Sequence, residues 1–150
     1  NNLERFLSPI NKSNNFKFNK FFRKITKNKN KTLKILEIKG RNFEIENFYD
    51  KIVKFDFDQL CNRNLGSEDY ISIANISNFI FIENLPNFDN ENSNQQQRFI
   101  TLIDIIYEKK IPLMITSQVN LDTINSSKNL IEPFKRTVSR LYELTSINYN

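Results

Sequence analysis

Phe79-Ile80-Phe81-Ile82, halted by Glu83, Asn84 and Pro86, is the stretch that decides the fold. Its four apolar residues leave no polar side to face water, so the strand they form belongs inside a sheet with both faces covered, as parallel sheets are. Downstream, Phe99, Leu102, Ile103 and Ile106 step at i, i+3, i+4, i+7, the spacing of one helix face, and Ile111 to Ile115 forms a second short apolar strand. Strand, helix and strand in that order predict a parallel crossover within an α/β fold.

Upstream the period is that of antiparallel strands. Leu33 to Ile38 and Phe43 to Ile45 alternate apolar and polar residues around Gly40, the residue suited to positive φ in a reversing turn, which predicts a hairpin. Ile52 to Phe57 repeats the alternation and predicts a third strand ending near Leu60 and Cys61. Before the hairpin, Phe18, Phe21, Phe22 and Ile25 lie at helical spacing with Lys17, Lys20 and Lys24 on another arc, predicting a short amphipathic helix over 16–25. Lys27 to Lys31 has no apolar periodicity and is expected to be a solvated loop.

Asp69 to Ile76 suits a helix with Ser67 as its cap and Asp69 near the positive dipole end. Pro133 fits the first turn of a last helix running to about Ser146. The expected organisation is one unit over 1–150: a basic helix and loop over 1–32, hairpin and third strand over 33–61, and crossover with the last helix over 62–150.

The 150 residues are 39% hydrophobic, enough for one domain that buries roughly 68 to 70% of its unfolded surface. The chain opens on Asn1 with no basic-then-apolar leader, and its apolar runs fall far short of the ~20 residues that span a bilayer. A soluble segment preceded by further chain is expected. Cys61 has no partner for a disulfide, and the absence of His removes the usual nitrogen ligands, so a reducing compartment and no transition-metal site are expected. His-based triads are excluded with it.

The net charge of +5 is unevenly spread. Residues 1–54 hold 14 Lys/Arg and 5 Asp/Glu, while residues 55–150 hold 8 and 12. Asn, Lys, Ile and Phe all have AT-rich codons, so part of this basic balance reflects genome composition. The basic helix could contact nucleic acid or an anionic membrane, or pack its Phe stripe inward with the lysines solvated.

The last helix carries the sharpest functional signal. Phe134, Val138 and Leu141 form an apolar stripe, and Arg136 and Arg140 sit four apart on another face with Glu143 three residues further on. Two like charges at that spacing repel by a few tenths of a kcal/mol. An anion between them would reverse this, and guanidinium forks match phosphate oxygens. The plain alternative is an Arg140–Glu143 surface pair with Arg136 solvated. Glu83 and Ser117, each at the end of an apolar strand, stand where ligands collect in parallel sheets, as candidate nucleotide-contacting groups or as simple turn formers. No Gly-x-x-x-x-Gly-Lys-[Ser/Thr] occurs, and Gly40 and Gly66 are the only glycines, so this chain by itself is expected not to bind nucleotide well.

In order, these segments resemble the C-terminal portion of the ZapE-type, AFG-like P-loop ATPases, which are AAA+-like proteins of bacterial cell division with mitochondrial relatives. Lys39-Gly40-Arg41 with Phe43-Glu44-Ile45 is similar to the family's Gly-Arg hairpin, and Phe55 to Cys61 to its Phe-x-Phe-x-x-Leu-Cys. Leu65 to Tyr70 resembles Leu-Gly-Ala-x-Asp-Tyr, Gln97 to Asp104 resembles Arg-Arg-Phe-Ile-x-Leu-Ile-Asp, and Arg136 to Leu144 resembles Arg-Thr-x-Ser-Arg-Leu-x-Glu-Met. The departures are Gln97 for an Arg, Ser117-Gln118 for a Ser-Ala pair, and the absence of glycine in the loop before Phe134.

The resemblance implies a partial P-loop unit of an ATPase that uses ATP and Mg²⁺, its Walker segments lying upstream, with this part inactive alone. Arg136 or Arg140 would reach a phosphate of the same or a neighbouring subunit, with Arg98 in reserve. A homo-oligomer with a cell-division or membrane-associated partner is implied, rather than a nucleic-acid binder. The implied compartment is the bacterial cytoplasm, peripheral at the inner membrane, or the mitochondrion in a eukaryote. Two other functions stay open: a non-catalytic basic binding module, and a degenerate nucleotide fold used as scaffold.

Overall fold

A computed structural model describes residues 4–149. The strands are β1 (Phe6–Leu7), β2 (Thr32–Ile38), β3 (Arg41–Tyr49), β4 (Ile52–Asp56), β5 (Phe79–Leu85) and β6 (Leu113–Ser117). The helices are α1 (Lys12–Thr26), α2 (Phe57–Cys61), α3 (Ser67–Asn75), α4 (Ser93–Glu108) and α5 (Ile131–Leu144). The strands form one sheet in the order β1-β6-β5-β4-β3-β2. β1, β6, β5 and β4 run parallel, and β3 and β2 are added antiparallel at one side.

The deciding stretch takes the central position it requires. Phe79 and Phe81 point to one face of β5, where they meet Phe18, Phe22, Ile52 and Met114 under α1. Ile80 and Ile82 point to the other, into the larger core with Ile103, Ile106, Phe134 and Leu141. The predicted crossover is β5-α4-β6, with Ile80 beside Leu113 and Ile82 beside Ile115. A second crossover, β4 to β5 through α2 and α3, was not anticipated and extends the parallel part.

Asn11 accepts a bond from the Asn14 N–H at 2.8 Å and starts α1 earlier than the predicted residue 16. The aromatic stripe of α1 packs inward: Phe18 and Phe22 meet Phe81 edge to face, with centroids 5.4 and 4.9 Å apart. Lys17, Lys20 and Lys24 stay exposed. The hairpin turn has Lys39 and Gly40 both at positive φ, the requirement of a type I′ turn.

The third strand stops at Asp56 rather than near Cys61, because Asp56 opens a helix there. Its carboxylate accepts the Asp58 N–H at 3.0 Å while Gln59 Oε1 accepts the Asp56 N–H at 2.7 Å. Residue 66, not Ser67, is the cap of α3, and Asp69 folds back to accept its N–H at 2.8 Å. The same buried carboxylate takes Arg41 at 2.7 Å, tying the hairpin to α3. α5 begins two residues before Pro133 and ends at Leu144. β1, unforeseen, joins residues 6–7 to the edge of β6. No helix among the described residues is long and apolar enough to cross a membrane.

Candidate functional site at the α4–α5 seam

α4 buries Phe99, Leu102, Ile103 and Ile106 against the sheet, which leaves Asp104 and Tyr107 on its flank, one turn apart. α5 buries Phe134, Thr137, Leu141 and Leu144, so its stripe runs through Thr137, and Val138 is only partly covered. That rotation turns Arg136 and Arg140 toward the flank of α4. Arg140 hydrogen-bonds Asp104 Oδ1, and its guanidinium lies 4.5 Å over the Tyr107 ring. Arg136 Nη2 reaches the other oxygen, Oδ2, at 3.5 Å.

An anion does sit between the two arginines, and it is the protein's own Asp104. The surface alternative is corrected as well. Glu143 pairs with Lys110 at 3.3 Å rather than with Arg140. Asp104 is 35% exposed and Arg136 55%, whereas Arg140 is 24% exposed and more firmly held. Charge-assisted bonds of this kind are worth about 1.5–3 kcal/mol when sheltered and less when wet. The seam therefore fixes Arg140 and leaves Arg136 reachable.

The other sequence candidates lie elsewhere. Arg98 donates to the Cys61 carbonyl at 3.0 Å and so satisfies the C-terminal end of α2. Ser117 is fully buried, and its hydroxyl donates to the Val119 carbonyl at 2.8 Å, forming a turn. β5 runs past Glu83, where the sequence predicts its end, to Leu85, and Glu83 lies beside Asp56 of β4 in parallel register. Asn84, held at positive φ, donates its side-chain amide to Asp56 at 2.6 Å and its backbone N–H to Thr116 at 2.9 Å. α4 runs back from these strand ends, and Asp104 lies about 16 Å along it at 1.5 Å per residue. The arginine seam and the strand-end group are two places, not one.

Sequence reasoning missed Asp104, Tyr107, Asp56, Asn84 and Thr116. The spacing of Asp104 to Tyr107, three apart on a helix flank, was the only local signal.

Burial raises the Glu83 carboxyl above its usual range, Lys54 pulls it back and Asp56 pushes it up further. A raised carboxyl contributes stability that is complete below its unfolded pKa and lost as pH rises through the folded one. Glu83→Gln is accordingly expected to raise the urea midpoint at about pH 7, the gain shrinking as pH falls and disappearing below about pH 4, as the unfolded carboxyl also becomes protonated.

Among the described residues no three His, Cys, Asp or Glu side chains gather to hold a metal ion. Gly40 turns the hairpin and residue 66 caps α3.

The profile of the AFG1-like ATPase family matches residues 1–150. The cell division protein ZapE of Escherichia coli K12 is 25% identical over 144 residues, covering 96% of this chain and 38% of that protein. Lactation elevated protein 1 homolog B of Danio rerio is 27% identical over 148 residues, covering 77% of this chain and 29% of that protein. The chain thus spans well under half the length of the curated relatives it matches. No solved structure matches it. A six-stranded α/β sheet carrying the five ordered motifs, matched by the profile along its whole length, makes this chain a member of the AFG1-like ATPase family.

Proposed function

We propose that this chain is one portion of a Mg²⁺-dependent ATPase, and that it completes the sheet and the arginine seam while other polypeptide supplies the phosphate loop. The observation that carries this reading is the family match over all 150 residues in a chain with no Gly-x-x-x-x-Gly-Lys-[Ser/Thr]. Arg136, exposed and loosely held, is the arginine suited to reach a phosphate of its own or a neighbouring subunit. Arg140 anchors the seam. By likeness to a relative named as a cell division protein, we propose a role in cell division for the intact assembly. A cytoplasmic homo-oligomer with a cell-division or membrane-associated partner is our further expectation.

The test joins this chain to the phosphate-loop portion of a family member and measures phosphate release with and without Mg²⁺. Mg²⁺-dependent turnover by the joined protein, and none by the 150 residues alone, is expected. Turnover by the 150 residues alone, or none in the joined protein, overturns the proposal. A scaffold reading is favoured by one observation: Asp104 already pairs with both arginines.

A further inference from the structure

The sheet face opposite α5 carries a cavity of about 830 Å³ between β1, α1 and the chain that follows α5. Its size falls among sites for small molecules, about 300–1,000 Å³. The residue that makes it unusual is Arg5, which lines the cavity yet is only 7% exposed.

Arg5 donates Nη1 to the Leu113 carbonyl at 2.9 Å and Nη2 to the Ile147 carbonyl, and its guanidinium stands 5.3 Å over the Phe79 ring. All three neighbours are neutral. Among the described residues no carboxylate forms an ion pair with it. Burial holds this guanidinium below its ordinary pKa, with the charge of Glu4 opposing. A buried cation whose direct contacts are two neutral carbonyls and a ring is costly, and an anion in the adjoining space would offset that cost.

The rest of the lining suits an oxyanion. Lys17 projects from α1 with its charge in water, and Ser8, Asn14 and Asn120 add neutral polar groups. Glu4 is the only acid in the lining, and it is exposed. Arg5 uses two of the five N–H donors of a guanidinium on carbonyls, and the fork geometry matches phosphate oxygens. We propose that this cavity binds a small phosphate anion between Arg5 and Lys17, at a site separate from the Arg136–Asp104–Arg140 seam and with no phosphate loop.

Hydrogen–deuterium exchange on the full 150-residue chain, titrated with pyrophosphate, tests this. Saturable protection of residues 5–8, 113–120 and 145–149 is expected, with Lys17→Ala weakening the apparent affinity about tenfold, as loss of one charge-assisted contact does. Arg5→Met should abolish protection. Because that change also removes two backbone contacts, exposed Lys17 is the deciding position, with folding of both variants checked by circular dichroism. ADP should protect the same segments and adenosine should not. Absence of protection, protection indifferent to Lys17→Ala, or protection by adenosine overturns the site.

Discussion

Phe81→Ala is expected to cost about 3–5 kcal/mol of unfolding free energy, a large part of the ~5–15 kcal/mol that holds a domain of this size together. Phe81 is fully buried and touches the rings of Phe18, Phe21, Phe22 and Phe79, with centroids 4.7 to 6.0 Å apart. Removing it takes away transfer free energy and leaves a void between β5 and α1 that rigid neighbours cannot fill. Urea unfolding followed by circular dichroism measures the loss. Phe16→Ala is the control on the same helix: Phe16 is 60% exposed, and its change should stay within about 0.5 kcal/mol. Equal, small effects at the two positions would mean that α1 does not pack on the sheet.

That contrast shows which parts of the fold were legible in the sequence. Side-chain direction in a strand alternates, so Phe79-Ile80-Phe81-Ile82 had to feed two cores, and it does. The helical stripes of α1 and α4 were legible for the same reason, since the periodicity is local. β1 was not, because two residues cannot display a period. α2 was hidden because Phe55 and Phe57 continue the strand alternation, while the deciding interaction, Asp56 with Gln59, is a side-chain cap that hydropathy ignores.

The arginine seam was half legible. The spacing of Arg136 and Arg140 announced a need for an anion, but Asp104 lies 32 and 36 residues away in sequence. Glu143, three residues from Arg140, was the local choice, and the fold gives it to Lys110 instead, at the end of α4. Only the packing of α5 on α4 brings the actual partner into reach.

Variants at this seam separate the structural role of the arginines from a catalytic one, and carry the largest expected change in rate. In the joined ATPase, Arg136→Ala should lower turnover by ~10³-fold or more if its guanidinium reaches phosphate, since such arginines are worth ~10³ to 10⁵. Its effect on stability should stay below about 1 kcal/mol, because a 3.5 Å contact between half-exposed groups is screened by water. Arg140→Ala removes the bond to Asp104 and the stacking on Tyr107, and is expected to cost about 1–2 kcal/mol. Asp104→Asn keeps the shape but withdraws the shared negative charge, leaving the two guanidinium groups to repel, for a loss of about 1 kcal/mol that shrinks in high salt. Urea unfolding and steady-state phosphate release, measured on the same three proteins, give the two readouts. A seam that serves only packing would rank Arg140→Ala as the most damaging change in both. A seam that also serves hydrolysis would show Arg136→Ala as stable and nearly inactive, and unchanged turnover in that variant would end the catalytic assignment.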